Sequence, residues 1–573
     1  MELFDKMTLN IVDNSGRSPK ILLVVSPSFS IKMLQEEINN IKTEETDFTK
    51  SVDWRVSAPM GILYIAGALR KSGFDVHIYD LHRAFYICRK NGYFKEKELS
   101  NFFNDFFEKV LMENKIDVIG ISCLFNVAST TVEQMGSICK RVSPDTKIVL
   151  GGHYATIKYK EVLEKGICDY VILGEAEEEF VWFIRNLNES DPDKKVYENP
   201  HIVDINSINN AGKKPAIIEN LDSLALPAWD ILPHYEEYID NSLLADRIGS
   251  SAGRKIKSAG IFTTRGCPMR CTFCGSHAVH GRKLRVHSID YIMEHIKWLV
   301  DKFDINNLLI DDDMFNYSPE RTIKFCTALL EKYPIRFNIE FPNGLAIWRL
   351  NEEVIKHLKL IGAKTVTIGI ESGNEYVQKN ILKKNLDLSM VKEKVELLKK
   401  YGFGVRSFFI IGFIDETPEM MKDTIQFALD LNLDWSEIKV FTPLAGSEMY
   451  DLAVKKDCLI GDTSEHVFGR CCVKIAGITP EEIENLRYDA NIRINFLNNR
   501  NLREGRFEVA QQVFSKLLSL YPNHIFAQWG LWKALEGQGK INEANRALKS
   551  LLDLTENNPK NQLLIEKYNI RLQ

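Results

Sequence analysis

The chain predicts an α/β protein: a doubly wound parallel sheet, a second run of β/α units, and an all-helical end. Three observations carry this. Between residues 20 and 185, short apolar runs alternate with segments of helical spacing, the pattern of a parallel sheet with helices on both faces. Between residues 256 and 460 the alternation resumes for about six further units, fewer than a closed eight-fold barrel needs. Beyond residue 500 the strand pattern stops, and Gly505 and Gly539 mark a repeat 34 residues apart. At about 150 residues per domain, 573 residues make three to four domains.

Residues 1–19 read as a polar tail. Lys20–Val25 (KILLVV) is a strand closed by Ser-Pro-Ser. Ser28–Val56 reads as an irregular surface excursion. Pro59–Ser72 is helical and leads into the strand Asp75–Tyr79. Leu99–Asn114 is an amphipathic helix and Asp117–Ser122 a strand. The helix Thr130–Val142 and the strands Lys147–Leu150 and Tyr170–Leu173 complete the set. Sheets of this kind bind ligands beyond the carboxyl ends of their strands. There stand Ser122-Cys123-Leu124, Gly151-Gly152-His153 and Gly174-Glu175. Paired glycines admit a bulky ligand against the backbone, although Gly-Gly also makes an ordinary tight turn. Asn188–Lys195 is a polar turn. Leu221, Leu224 and Trp229 of the connector are expected to pin it to the next domain.

Ala259–Ser276 (AGIFTTRGCPMRCTFCGS) places Cys267, Cys271 and Cys274 just after an apolar run, hence on a loop at a strand end. Thiolates suit zinc or an iron–sulfur cluster. Three of them leave a four-iron cluster with one open iron, whereas structural sites usually close with four ligands. The next cysteine is Cys326, beyond a helix and a strand. A zinc loop or three unconnected thiols is the alternative. Downstream strand ends carry Asp311-Asp312-Asp313, Asn343-Gly344, Glu371-Ser372-Gly373, Gly412 with Glu416, and Thr442–Gly446. The aspartates suit a hard cation or a helix cap.

The CxxxCxxC spacing, with Phe273 before the last cysteine, resembles the cluster loop of the radical S-adenosylmethionine (SAM) superfamily. The resemblance implies a [4Fe–4S] cluster on the three cysteines and SAM chelated by the open iron. It also implies an open (β/α)6 barrel, a partial TIM barrel, with all strand ends on one face. SAM contacts are then expected at Phe273, Asp312, Asp313, Glu371 or Ser372, Gly412 and Glu416. Phe413-Ile414-Asp415 departs from the family's commoner Phe-Pro-Gly turn. Upstream, Ser122, Leu124, Gly151, Gly152, Gly174 and Glu175 resemble the SxL and GG signatures of a Rossmann-like cobalamin-binding domain. The usual DxHxxG is missing: the first strand is followed by SPSFSIKM. Cobalamin is therefore expected base-off without a histidine ligand, with His77, His82 and His153 as candidate replacements. Ile217–Trp229 resembles the linker that precedes such radical SAM domains.

The implied division is a cobalamin-binding domain at 20–200, a linker at 201–255, a radical SAM domain at 256–460, a connector at 461–500 and tetratricopeptide-like repeats at 501–573. The implied function is methyl transfer to an unactivated carbon of a small molecule or natural product, through a 5′-deoxyadenosyl radical and methylcobalamin. The alternatives are a cyclase like the anaerobic magnesium-protoporphyrin ester cyclase, and a non-catalytic cobalamin- or redox-sensing adaptor. A flavodoxin- or ferredoxin-type electron donor is implied, and the repeats offer a surface for a protein partner.

Net charge of −5 gives no polyanion-binding signal, so no nucleic-acid partner is expected. Eleven cysteines in so long a chain are no disulfide scaffold, and a thiolate cluster places the protein in the cytoplasm. No apolar run approaches the 18 or so residues of a membrane span. Cys471-Cys472 is expected in a core. With only two repeats, the C-terminal helices must pack on the barrel or on a partner.

Overall fold

The computed structural model describes residues 19–43, 56–187, 198–209, 211–212, 214–239, 256–334, 336–466, 469–556 and 558–572. The expected N-terminal tail and the turn Asn188–Lys195 lie outside the described residues.

The first sheet comprises β1 (Lys20–Val25), β2 (Asp75–Asp80), β3 (Val118–Ser122), β4 (Lys147–Gly151), β5 (Tyr170–Ile172) and β6 (Ile202–Val203). Its order is β2-β1-β3-β4-β5-β6. The first five strands pair in parallel and β6 is antiparallel. The strand order switches direction between β1 and β3, which opens a crevice at their carboxyl ends. In register there, Ser122 pairs with Val25 and with Gly151.

Four local expectations change. Ile31–Thr43 is a helix rather than an irregular excursion. Leu34 and Ile38, on one of its faces, are fully buried. Leu81–Lys90 is a helix that the sequence reading did not mark, capped by Asp80 accepting from Arg83 N at 2.8 Å. The amphipathic helix from Leu99 widens into a π turn at Asn104–Glu108, where Phe106 and Phe107 both reach the core. And β6 comes from residues assigned to the linker.

The barrel strands are β7 (Ser258–Ile261), β10 (Asn307–Ile310), β11 (Asn338–Glu340), β12 (Thr365–Glu371), β13 (Gly404–Ile411) and β14 (Trp435–Val440). They form two parallel halves, β11-β10-β7 and β12-β13-β14. Single bridges, Ile339 to Ala363 and Leu345 to Ile368, join the halves. The result is an open six-stranded barrel with β7 and β14 at its edges. Its helices start at side-chain caps on Ser288, Ser318, Asn351, Asp387 and Thr417. Ser318 caps its own helix, so the aspartates before it are free of that duty.

The free edge of β14 is covered by side chains instead of a strand. Asn495 donates to Ser436 O and accepts from Ser436 N, at 2.7 and 2.8 Å. Asn491 does the same with Ile438, at 2.8 and 3.2 Å. The two asparagines stand one helical turn apart, which matches alternate residues of the strand and satisfies its exposed polar groups.

The connector crosses the first domain's helix Met60–Lys71 at Gly67, where an added Cβ would lie 2.3 Å from Leu226 O. Leu221, Leu224 and Trp229 are buried in one core shared by that helix and the barrel. They bind the two domains together rather than serving the barrel alone. Beyond the barrel, the helices Phe507–Leu520 and Ile541–Glu556 start 34 residues apart, as do Ile525–Gly537 and Pro559–Lys567. Their apolar faces close on Phe496 and Trp435. Cys471 and Cys472 are both buried, and neither forms a disulfide.

Candidate functional site

A cavity of about 1150 Å³ lies between the sheet crevice and the barrel. Its walls come from both domains. Ser122, Leu124, Gly151, Gly152 and Gly174 line one side; Cys274, Asp311 and Asp313 line the other.

The cysteine loop is framed by a short antiparallel pair, β8 (Thr264–Arg265) and β9 (Arg285–Val286). Inside it, Thr272 N donates to Leu382 O at 3.0 Å and Thr272 Oγ1 to Ile381 O at 2.7 Å. Arg282 donates to Met269 O at 2.7 Å. These bonds hold a stretch that has no regular structure of its own. Burial pushes all three thiols up, Cys274 to about 11, and Cys274 feels the charge of both others. Among the described residues, no three His, Cys, Asp or Glu side chains converge as the donors of a single ion would.

Lys384 is a site residue that the sequence did not reveal. Its ammonium donates to Glu371 at 2.9 Å and to Gly369 O at 2.7 Å. Burial opposes its charge, but Glu371 and the Cys271 thiol hold its pKa above the usual value. A buried cation thus stands beside the thiols, which favours their ionised form. No sequence signal distinguishes it from its neighbour Lys383.

Several predicted contacts turn out to shape the site from behind. Asp312 is turned away from the cavity. It accepts from Thr263 N at 2.6 Å and Thr264 N at 3.0 Å, and also from the Thr263 hydroxyl. Burial pushes its pKa up to about 6 against those bonds. Asp312 thereby latches the chain just after β10 to the chain just after β7. The aspartates on either side face the cavity. Asp313 accepts from Ser276, and Asp311 is pushed up to about 7 by burial and then by Asp312. Alternation along the extended chain explains this, and Asp311 was missed for lack of that alternation in the reading.

Ser372 is fully buried and bonded to Thr424 at 3.0 Å. Glu416 accepts from Gly412 N and Phe413 N at 2.7 and 2.9 Å and fixes the 412–416 turn. Phe273 packs on that turn, with its ring 5.9 Å from Phe413. Phe273, Ser372 and Glu416 are absent from the cavity wall. Glu371, Gly412, Cys267 and Cys271 are absent from it as well.

On the other side, an added Cβ on Gly151 meets nothing within 4 Å and would enter the cavity. Gly152 has φ +97°, and its Cβ would lie 2.6 Å from Cys123 O. Gly174 has φ +93° and is closed in by Ala216. Glu175 lines the cavity and also serves as a strut. It takes hydrogen bonds from Arg285 at 2.6 and 2.8 Å, His280 at 2.8 Å and Ile218 N at 2.8 Å. Arg265 bonds Glu177 at 2.6 Å beside it.

Of the candidate cobalt ligands, His77 pairs with Asp75 at 3.2 Å on the far strand. His82 accepts from Ser28 N at 3.3 Å and lines the cavity. His153 donates to Gly275 O at 2.9 Å.

Residues 261–428 match the model of the radical SAM superfamily, and residues 56–183 match the B12 binding domain. The cytidylyl-2-hydroxyethylphosphonate methyltransferase of Streptomyces wedmorensis is 28% identical over 428 residues, 69% of this chain and 77% of that protein. The anaerobic magnesium-protoporphyrin IX monomethyl ester cyclase of Cereibacter sphaeroides is 22% identical, over 74% of this chain and 65% of that protein. The structure of OxsB, a cobalamin-dependent SAM radical enzyme with aqua-cobalamin and SAM bound, superposes with a TM-score of 0.58. That likeness has 15% identity and covers 96% of this chain and 80% of OxsB. The two domains imply a [4Fe–4S] cluster with SAM, and cobalamin. A glycine-walled crevice and a three-thiol loop on one cavity fit those groups. With these two domains facing each other across that cavity, the chain is an enzyme built from a radical SAM domain and a B12 binding domain.

Proposed function

We propose that this enzyme transfers a methyl group to an unactivated carbon of a small molecule held between its domains. The observation that carries the reading is the shared cavity, walled by Gly151 on one side and by Cys274 on the other. The methyltransferase relative supports it. When bound, the cluster with SAM supplies carbon-radical chemistry, and cobalamin supplies a transferable methyl group.

The chain's residues then divide the work. Cys267, Cys271 and Cys274 hold the cluster, and Lys384 offsets its negative charge. Asp313 would frame SAM from the cavity wall, and Glu371 and Gly412, outside that wall, are its further proposed contacts. Ser122, Leu124, Gly151, Gly152 and Gly174 frame cobalamin. Cobalamin would be held without a histidine from His77 or His153, which are bonded to Asp75 and to Gly275 O, and His82 on the cavity wall is the remaining candidate. The apolar walls exclude water from the reacting centre. The C-terminal helices act as a tetratricopeptide-like cap on the barrel, and a flavodoxin- or ferredoxin-type protein delivers the electron. Among the described residues no helix is long and apolar enough to cross a membrane.

Anaerobic incubation of the reduced, reconstituted enzyme with SAM and dithionite tests this reading. Methyl transfer from cobalamin recharged by SAM gives both 5′-deoxyadenosine and S-adenosylhomocysteine. Formation of 5′-deoxyadenosine alone would favour a ring-forming or oxidative outcome, and neither product would indicate an adaptor.

A further inference from the structure

His153 directly follows the slot glycines and opens the helix His153–Ile157. Its ring leaves the first domain, and Nε2 donates to Gly275 O at 2.9 Å. Gly275 directly follows Cys274. A Cβ on Gly275 would lie 2.8 Å from that nitrogen, so a larger residue there would displace the ring. The same short helix presses Ile157 against Gly446, on the loop whose Leu444 and Ala445 line the cavity. The slot and the cluster loop therefore meet through one side chain and one closely packed helix.

We propose that His153 couples the two cofactor sites, so that a corrin in the slot tightens SAM binding at the cluster, and SAM tightens corrin binding by the same factor. The inference rests on the reading of these sites as cobalamin and SAM sites. Its physical basis is that the slot turn is tied down on both sides of Gly152, by Cys123 N donating to Gly151 O at 2.8 Å and Tyr154 N donating to Cys123 O at 3.2 Å. A ligand that orders Gly151 and Gly152 also orders the first residue after them. That residue holds the carbonyl next to a cluster cysteine. Coupling of this kind is reciprocal by linkage and spans about 5- to 150-fold in known cases.

The test measures SAM affinity of the cluster-loaded full chain with and without hydroxocobalamin. Cobalamin should tighten SAM about tenfold in the wild type. His153→Ala should erase that difference while iron content is unchanged. His153→Gln, whose amide reaches the same carbonyl, should restore most of it. Gly275→Ala should weaken the coupling by pushing the ring away. Equal SAM affinity with and without cobalamin in the wild type would overturn the inference, as would full coupling in His153→Ala. Failure of the wild type to retain cobalamin at all would overturn the underlying site assignment, and is read separately as cobalt content.

Discussion

Glu175 and Arg285 meet in a two-bond ion pair, at 2.6 and 2.8 Å, with side chains that are 1% and 2% exposed. Glu175 stands at the end of the first domain's sheet, and Arg285 closes the hairpin that frames the cysteine loop. Arg265, the register partner of Arg285, reaches Glu177 on the same turn. The base of the cysteine loop is thereby fastened to the first domain.

That pair predicts acid sensitivity. Burial opposes the charge of Glu175, but Arg285, His280 and Arg265 outweigh it and hold the carboxyl down to about 2. An unfolded glutamate titrates near about 4.3. The stabilisation is therefore present above the unfolded value and is lost as pH falls towards 2. Glu175→Gln strands a buried guanidinium and should cost about 3–5 kcal/mol at pH 7. Urea unfolding at pH 7 and pH 3 checks both statements; equal midpoints at pH 7 would contradict them.

Glu416 has the opposite sign. Burial, only partly offset by the amides of Phe413 and Gly412, pushes it up to about 8. A carboxyl whose folded pKa is raised contributes fully below its unfolded value and loses that contribution as pH rises through 8. Glu416→Gln keeps an oxygen on both amides and should unfold at the same or a higher temperature than wild type at pH 8.5. The two should converge at pH 4. Glu416→Ala should cost about 1–3 kcal/mol for the freed amides. A large loss of thermal stability in the Gln variant at pH 8.5 would count against this account.

The two slot glycines should separate on mutation. Gly151→Phe sends its ring into the cavity and should lower cobalamin retention at least about tenfold with little change in thermal midpoint. Gly152→Ala meets the carbonyl of Cys123 and a left-handed φ, so it should lower stability by about 1–3 kcal/mol. Cobalt content and a thermal melt of each variant distinguish the two. Normal cobalamin retention in Gly151→Phe would refute the slot assignment.

The C-terminal helices should be needed for the barrel. Asp434 accepts from Arg500 and Arg506 at 2.9 and 2.8 Å and from Val405 N at 2.8 Å. Phe496 stacks on His524 with ring centroids 4.9 Å apart. Ending the chain after Leu497 removes both arginines and bares Phe496 and Trp435. The truncated protein should be poorly soluble and low in iron. A soluble truncation with full iron content and normal SAM cleavage would make these helices a recognition module instead.

The strand ends were legible because short apolar runs between turn residues announce a parallel sheet. The six-unit barrel and the 34-residue repeat followed in the same way. The helix Ile31–Thr43 was missed because its polar face dominates its composition, and its two core residues are few among thirteen. At the site, residue type announced the three cysteines and the glycines. It did not announce direction. Asp312 stands beside cavity residues but spends its oxygens on Thr263 and Thr264, and Glu175 lines the cavity with its oxygens committed to Arg285, His280 and Ile218 N. Lys384, His153 and Arg285 matter through partners 100 or more positions away in most cases, and local spacing carries no trace of such pairings.

Iron and cobalt content per chain, measured after anaerobic reconstitution of wild type and of the combined Cys267→Ala, Cys271→Ala, Cys274→Ala variant, tests the central claim most directly. The account predicts about four irons and one cobalt per wild-type chain. In the variant, iron should fall close to zero while cobalt stays near one. Four irons retained in the variant, or a wild type that binds no cobalt, would contradict it.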